Sequence, residues 1–305
     1  MVLQSAAGGA TPPARPAPAW NPRALAVHAG YAAVAGLLEQ LPADRLPGLA
    51  ELDALVSRGM PADAGDRSMQ RIRIVAPLAP RTGAAAYERR IRDQGEVPTR
   101  PDSVHDLFNA LAWIAWPRTK RALNRVQAEE IDAAVRSGAP SGRRGRRRDQ
   151  ATLFDEDGLI VACADPALAG LLRTARWREL FVERRDTVLQ AMTFLGLGHA
   201  LLDKLRRPWK ALTARTLIVP VDPAFAALPR ARQAFILDCR AADAVAQPSS
   251  LLRPDGLIPV PVLGIPGWTE ENRQPGFYDD PRVFRPRTTS RNPASIDPLY
   301  GGWKA

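Results

Sequence analysis

Apolar side chains recur at helical spacing along much of the chain. Between residues 22 and 58 they form one stripe, interrupted by Pro42 and Pro47. The stripe consists of Leu25, Val27, Tyr31, Val34, Leu37 and Leu38. A similar pattern predicts helices over residues 166–181, 187–205 and 230–246. A further helix over residues 87–93 is expected to end at Gly95.

Short strands interrupt this helical pattern. Residues 72–75 alternate between apolar and arginine side chains, which predicts a strand, and residues 217–221 predict another. Residues 152–163 predict a hairpin with an acidic turn at Glu156 and Asp157. Helices with scattered strands, rather than regular alternation, favour α+β over a doubly wound sheet. We therefore expect an α+β fold, a mostly helical single compact domain with a few short strands.

The two ends of the chain differ from its middle. Residues 1–20 are rich in Ala and Pro and predict a flexible leader, not a signal peptide. Residues 254–305 are proline-rich and predict an extended tail packed on a core domain of residues 21–253. No window is apolar enough for a transmembrane helix, so no membrane partner is expected. The two cysteines, far apart, fit a cytoplasmic location.

Two helices are expected to meet at an elbow in the middle of the chain. Ser103 can cap the first helix. Pro117 biases Trp116 away from helical geometry and suits the first turn of a second, short helix. That second helix places Lys120 and Asn124 one turn apart.

Polar side chains on this helix pair are the main candidates for catalysis. His105 is the candidate general base and Asp106 its orienter, because a carboxylate can hold an imidazole in one orientation. Asn109, Lys120 and Asn124 would bind substrate. In the alternative interpretation Asp106 caps the helix, His105 packs, and the other three brace the elbow.

The formal net charge of +10 depends strongly on one arginine-rich stretch. The stretch contains Arg143, Arg144, Arg146, Arg147 and Arg148. Removing these five charges leaves +5, an ordinary value for 305 residues. The stretch is either part of a solvated mobile loop over residues 137–148 or a contact for an anion or nucleic acid. In the second interpretation Arg148 contacts an anionic substrate.

Two further groups are candidates for binding a ligand. Asp149, Asp155 and Glu156 cluster in sequence and could hold a cation or do acid–base work, with Asp149 a substrate-binding candidate. His199 and Asp203 are one helical turn apart and are weak candidates for a divalent metal, alone or with the first His–Asp pair. Surface ion pairs and an intrahelical hydrogen bond are the structural alternatives.

Motifs for other cofactors do not occur. There is no P-loop sequence and no Gly-x-Gly-x-x-Gly after a strand, so nicotinamide and P-loop nucleotide folds are unsupported. No cysteine follows residues 280–286 to ligate a haem. A divalent metal is the cofactor that the sequence leaves open.

Several blocks together resemble a known bacterial family. They are VPTRPDSVHDLFNALAWIAWPRTKRALN, RRDQATLFDEDG, GHALLDKL, LTARTLIVPV and LGIPGWTEENRQPGFYDDPRVFRPR. In this combination and order the chain is similar to domain-of-unknown-function family 3025 from about Val97 to Arg287. Val104 departs from the pattern, where Trp is expected before the His–Asp pair. The resemblance implies a family and no mechanism.

Two functions lead from the sequence, with a structural or assembly role as the remaining alternative. The first is a hydrolase acting on a small phosphorylated or otherwise anionic substrate, with His105 as general base. The second is a non-catalytic protein that binds nucleic acid or a protein partner through the arginine-rich stretch.

Overall fold

A four-stranded mixed sheet lies at the centre of the protein. The structure is a computed structural model, and it describes residues 19–60, 71–77, 83–138, 145–247 and 256–286. The α-helices of these ranges are α1 (Pro22–Ala26), α2 (Ala35–Leu38), α3 (Leu49–Gly59), α4 (Ala84–Gln94), α5 (Val104–Ala115), α6 (Pro117–Arg136), α7 (Arg146–Asp157), α8 (Pro166–Arg173), α9 (Arg185–Ala191), α10 (His199–Lys204) and α11 (Arg230–Ala246). The strands are β1 (Arg73–Val75), β2 (Glu96–Pro98), β3 (Gly158–Cys163), β4 (Met192–Gly196), β5 (Thr213–Pro220) and β6 (Ile258–Pro261).

The central sheet has the strand order β4-β3-β5-β6. β3 pairs in parallel with β5 and antiparallel with β4, and β5 pairs antiparallel with β6. β1 and β2 form a separate parallel pair. Because β3 has a neighbour on each side and helices above and below, all six of its residues are buried.

Alternate side chains of the central strand face two hydrophobic cores. Leu159 and Val161 pack in a core with α3, α5, α8 and α10, whereas Ile160 and Ala162 pack with α6, α7 and α11. A strand buried on both faces appears in the sequence as a continuous apolar run. The protein is thus the mostly helical, compact α+β domain that the sequence predicts.

The predicted elbow between α5 and α6 is confirmed. At the elbow, the indole N–H of Trp116 donates to the carbonyl of Gly196 at 3.1 Å. The carboxylate of Asp238 in α11 accepts the backbone N–H groups of Arg118 and Thr119 at 3.0 and 2.9 Å. These contacts satisfy N–H groups that the first turn of a helix leaves without an intrahelical partner. α6 has 20 residues, so the prediction of a short second helix is wrong.

Two other local predictions are also wrong. Residues 152–157 are the last turns of α7, not the first arm of a hairpin, and β3 follows them directly. Residues 192–196, predicted to be helical, form β4 at the edge of the sheet. In both places long-range contacts decide a structure that the local pattern leaves ambiguous.

The predicted loop and ends are described only in part. Residues 139–144 of the loop, residues 1–18 of the leader, and residues 254–255 and 287–305 of the tail lie outside the described residues. Residues 256–286 supply β6 to the central sheet and bury the anchors Trp268, Tyr278 and Phe284. Across the described ranges, every helix is too short or too polar to cross a membrane.

Two glycines allow α10 to begin against the junction between α7 and β3. A Cβ on Gly198 would lie 2.3 Å from both the Glu156 carbonyl oxygen and the Gly158 nitrogen. A Cβ on Gly158 would lie 2.2 Å from the Phe154 carbonyl oxygen. Backbone this close excludes any side chain, so these glycines set the position of the first turn of α10.

We predict that Gly198→Ala destabilises the protein by about 2 kcal/mol or more, because the added methyl group must displace backbone rather than a flexible side chain. Urea unfolding followed by circular dichroism measures the change. Gly170→Ala is the matched control: that position lies in α8 with open space around it, and the change should be neutral or stabilise by about 0.5–1 kcal/mol. Equal effects of the two changes would contradict the close-approach argument.

Candidate metal centre

Three metal-ligating side chains from three helices meet at one place. His105 lies in the first turn of α5, Glu156 in the last turn of α7, and His199 at the start of α10. Their donor atoms all lie within 4.8 Å of one another. Glu156 Oε2 is 3.5 Å from His199 Nε2 and 4.0 Å from His105 Nε2. Within the described residues, this is the one group of three or more His, Cys, Asp or Glu with such spacing.

The cluster forms a shallow site with a buried floor. The His199 side chain is 7% exposed, whereas those of His105 and Glu156 are 36% and 40% exposed. The imidazoles of His105 and His199 meet edge to face, with ring centroids 4.5 Å apart. A ligand or water molecule can therefore approach from the His105 and Glu156 side.

His199 is in the protonation state that metal binding requires. Burial lowers its pKa to about 3, despite the nearby Asp155 carboxylate that opposes the shift. The imidazole is therefore neutral at pH 7 and keeps a lone pair on one nitrogen. Its buried Nδ1 makes no hydrogen bond to any described residue, and Asp155 Oδ2 lies 4.0 Å from it.

The donor set and its spacing suit a divalent transition metal. Zinc binds imidazole nitrogen and carboxylate oxygen at about 2.0–2.2 Å, so ligand atoms around a tetrahedral ion lie about 3.3–3.5 Å apart. The His199–Glu156 distance of 3.5 Å already falls at that value, whereas the His105–Glu156 distance of 4.0 Å would have to shorten when an ion binds. Two imidazoles and one carboxylate leave a coordination position open.

A buried polar network lies behind the site. Lys120, only 3% exposed, forms an ion pair with Asp155 Oδ1 and donates to Asn109 Oδ1 at 2.8 Å. Asn109 Nδ2 in turn donates to the Tyr87 hydroxyl at 2.9 Å. Burial alone would raise the pKa of Asp155, but the adjacent Lys120 ammonium lowers it below its usual value. Asp155 is therefore a carboxylate held next to His199.

The structure corrects both predicted carboxylate partners. Asp106 does not orient His105: its two oxygens accept hydrogen bonds from Arg100, and its backbone N–H donates to the Ser103 cap at 3.2 Å. Asp203 forms an ion pair with Arg206 at 3.1 Å, three residues further along the chain. The two histidines of the weak metal prediction do meet, but Glu156 supplies the carboxylate in place of both aspartates.

The predicted substrate-binding residues of the elbow are buried. They form hydrogen bonds or ion pairs with one another, with α4 or with α7. Asn109 and Lys120 belong to the network behind the site. Asn124 is 6% exposed and donates through Nδ2 to the carbonyl and carboxylate of Glu88, which fastens α6 to α4. These contacts match the alternative interpretation of the sequence, in which the residues brace the elbow.

Part of the arginine-rich stretch lies in α7. Arg143 and Arg144 lie outside the described residues, and Arg146 begins the helix. Arg147 lies 3.5 Å from Glu130 and 3.8 Å from Glu129. The positive charge of Arg148 partly opposes the rise that burial causes in the pKa of Glu88. Asp149 lies in the first turn of α7. The structure does not place Arg148 or Asp149 in the three-residue cluster.

The sequence named all three donors but placed Glu156 in a separate candidate cation site from the two histidines. Glu156 was placed on a hairpin turn, whereas the helical backbone of α7 presents it and Asp155 to opposite nitrogens of His199. The usable signal was the acidic sequence directly before a buried strand. Tyr87 and Glu88 carried no local signal, because their partners lie 22 and 36 residues away.

The fold and site define a helical α+β domain with a candidate two-histidine, one-carboxylate metal centre. The chain matches the family model described as "Protein of unknown function (DUF3025)" over residues 72–288. This match covers more than half of the 305 residues, and the chain belongs to that family. No curated protein and no solved structure matches the chain. All three donors lie inside the matched range.

The buried Glu88 should make stability depend on pH. Burial, reinforced by the Asp155 charge, raises its pKa from 4.5 to about 7. The folded state thus favours protonated Glu88, so this group stabilises the fold fully below about pH 4.5, and that contribution is lost as pH rises through 7. Glu88→Gln removes the titrating carboxyl group, so the variant does not lose this stability as pH rises. Its free energy of unfolding relative to that of wild type should therefore rise by roughly 3 kcal/mol between pH 4 and pH 8.

Urea unfolding of metal-free protein at pH 4 to 8 measures this difference. Glu39→Gln, at an exposed position, removes the same charge without burial and should show a change of at most a few tenths of a kcal/mol. If the relative stability of Glu88→Gln stays constant over this range, Glu88 is ionised throughout and the assignment is wrong.

Proposed function

We propose that the protein is a metal-dependent hydrolase, in which His105, Glu156 and His199 hold one divalent transition metal ion. The observation that carries the proposal is the convergence of these three donors on a solvent-accessible site. Structural zinc sites are closed by four protein ligands, whereas catalytic sites keep three and leave a position for water or substrate. Three donors with an exposed side thus fit catalysis better than structural support.

The chemistry that follows is activation of water. A bound divalent ion would act as a Lewis acid and lower the pKa of a bound water to about 7. His105 then serves as a ligand, which replaces the general-base role expected from sequence. His199, the buried floor of the site, would exclude solvent from one side of a bound ion.

The net charge of the proposed metal site favours an anionic substrate. His199 is neutral, and Lys120 offsets the charge of Asp155. A histidine that ligates a metal is neutral, so Glu156 would be the one charged ligand and a divalent ion would leave a net charge near +1. Such a site stabilises negative charge on a phosphoryl or acyl group, most strongly when that charge grows in the transition state. A small phosphorylated or carboxylated ester is therefore the proposed substrate class.

Metal binding is the direct test. Metal-free protein should bind about one Zn²⁺ per chain in equilibrium competition with a chromogenic chelator. His199→Ala and Glu156→Gln each remove a ligand and should weaken binding by about 100-fold or more. Asp203→Asn is the control, because that carboxylate pairs with Arg206, and its affinity should match wild type. If Asp203→Asn weakens binding as much as His199→Ala, the ligand set is wrong.

Activity follows from the same site. A panel of phosphomonoesters, phosphodiesters and carboxylic esters should reveal an activity that a chelator abolishes and Zn²⁺, Mn²⁺ or Co²⁺ restores. His105→Ala and Glu156→Gln should lower kcat/KM by about 100-fold or more, whereas Asp203→Asn should retain it. An activity that survives both chelation and His105→Ala would remove the hydrolase assignment from this site.

A further inference from the structure

We propose that Asp155, held in place by Lys120, is the positioning residue that determines which nitrogen of His199 binds the metal. This inference rests on the proposed metal site. It assigns His199 Nε2 to the metal and the Nδ1 proton to Asp155, and it makes the Lys120–Asp155 ion pair a determinant of metal affinity.

Two carboxylates flank opposite nitrogens of the same imidazole. Glu156 Oε2 is 3.5 Å from His199 Nε2, and Asp155 Oδ2 is 4.0 Å from His199 Nδ1. The two ring nitrogens point in diverging directions, so one ion cannot be bound by both. Since Glu156 belongs to the three-residue cluster, Nε2 faces the metal and Nδ1 faces Asp155.

The chemistry of a neutral imidazole completes the assignment. Such a ring has one lone pair and one N–H, so a metal on Nε2 requires the proton to be on Nδ1. That Nδ1 is buried and makes no hydrogen bond to any residue that the structure describes. An unsatisfied buried N–H is costly, and the Asp155 carboxylate is the side-chain acceptor within reach. We expect metal binding to draw the two atoms from 4.0 Å to hydrogen-bonding distance, about 2.8 Å.

Lys120 fixes the direction in which Asp155 points. Its ammonium binds Oδ1, which leaves Oδ2 as the oxygen directed towards His199. The ammonium is itself held by Asn109 Oδ1 at 2.8 Å and lies 5.4 Å from the centre of the Trp113 ring. A carboxylate behind a metal-bound histidine orients the ring and makes the ligand more basic, and its removal commonly lowers metal affinity about 10–100-fold.

Zinc affinity of full-length variants tests the positioning role. Asp155→Asn should weaken Zn²⁺ binding about 10–100-fold, and Lys120→Met about 10-fold. Lys204→Met is the matched control, because Lys204 forms an ion pair with Asp157 that likewise joins a helix to the end of α7. Its affinity should stay within about twofold of wild type.

Loss of one partner from a buried ion pair can unfold a protein, so the double variant Lys120→Met/Asp155→Asn accompanies the single ones. Removing both charges together avoids an uncompensated buried charge. The double variant should fold, as judged by circular dichroism, and still bind Zn²⁺ about 10–100-fold more weakly than wild type. Wild-type affinity in a folded double variant would overturn the proposal.

The ring nitrogens of His199 provide a readout that a merely structural role would not change. In zinc-loaded wild type, long-range ¹H–¹⁵N NMR should show a protonated Nδ1 and a metal-bound Nε2, with the Nδ1 proton protected from exchange with water. In zinc-saturated Asp155→Asn that protection should fall by about tenfold or more. A metal-bound Nδ1 in wild type overturns the proposal directly.

The outcomes separate this inference from the proposed function. If His199→Ala and Glu156→Gln weaken Zn²⁺ binding but Asp155→Asn and Lys120→Met do not, the metal site holds and the positioning role is wrong. If none of the four changes affects binding, or wild type binds no Zn²⁺, the site and the positioning role are both wrong.

Discussion

The buried ion pair between Lys120 and Asp155 is the interaction on which the elbow and the site both depend. Lys120 is 3% exposed, so its charge is removed from water and must be compensated within the protein. Breaking such a pair by removing one partner typically costs about 3–5 kcal/mol, whereas replacing both by apolar side chains is often neutral. The ion pair therefore matters for the positions of the helices that it joins. It links α6, just after the elbow, to α7, which presents two carboxylates to His199.

The parts of the fold that follow from local chemistry were predictable. The elbow is one example, because Ser103 caps α5 and Pro117 starts α6 wherever the rest of the chain lies. Gly95 adopts the left-handed conformation, with φ at 67°, that ends a helix, and α4 stops there. Each of these signals acts within one or two turns and needs no distant partner.

Elements whose structure is decided by distant contacts were not predictable. α7 buries little apolar surface beyond Ala151 and Phe154, so its sequence shows no clear helical stripe. β4 alternates Met192 and Phe194 with less buried side chains over only five residues, too short to separate from the helix before it. Both adopt their structure because β3 lies beside them and supplies either packing or backbone hydrogen bonds.

The donors of the site were predictable one by one, but their meeting was not, for the same reason. Four-residue spacing placed His199 and Asp203 on one helical face, but α10 has only six residues and Asp203 pairs with Arg206 at its end. Glu156, the residue that meets His199, comes from a different helix, at a junction where Gly198 lets the backbones approach closely. Sequence spacing identifies residues that share a helix; it cannot identify residues that share a junction between helices.

The charge of the site explains why a lysine lies so close to a proposed cation site. Without Lys120, Asp155 and Glu156 would be two adjacent uncompensated carboxylates beside His199. Lys120 binds the first of these, and the second is left to face the imidazoles and the solvent. A divalent ion bound there would keep part of its charge, which is the condition for polarising a substrate or a water molecule. Two free carboxylates would neutralise the charge of a divalent ion. Because Lys120 pairs with one of them, a bound ion would stay electrophilic.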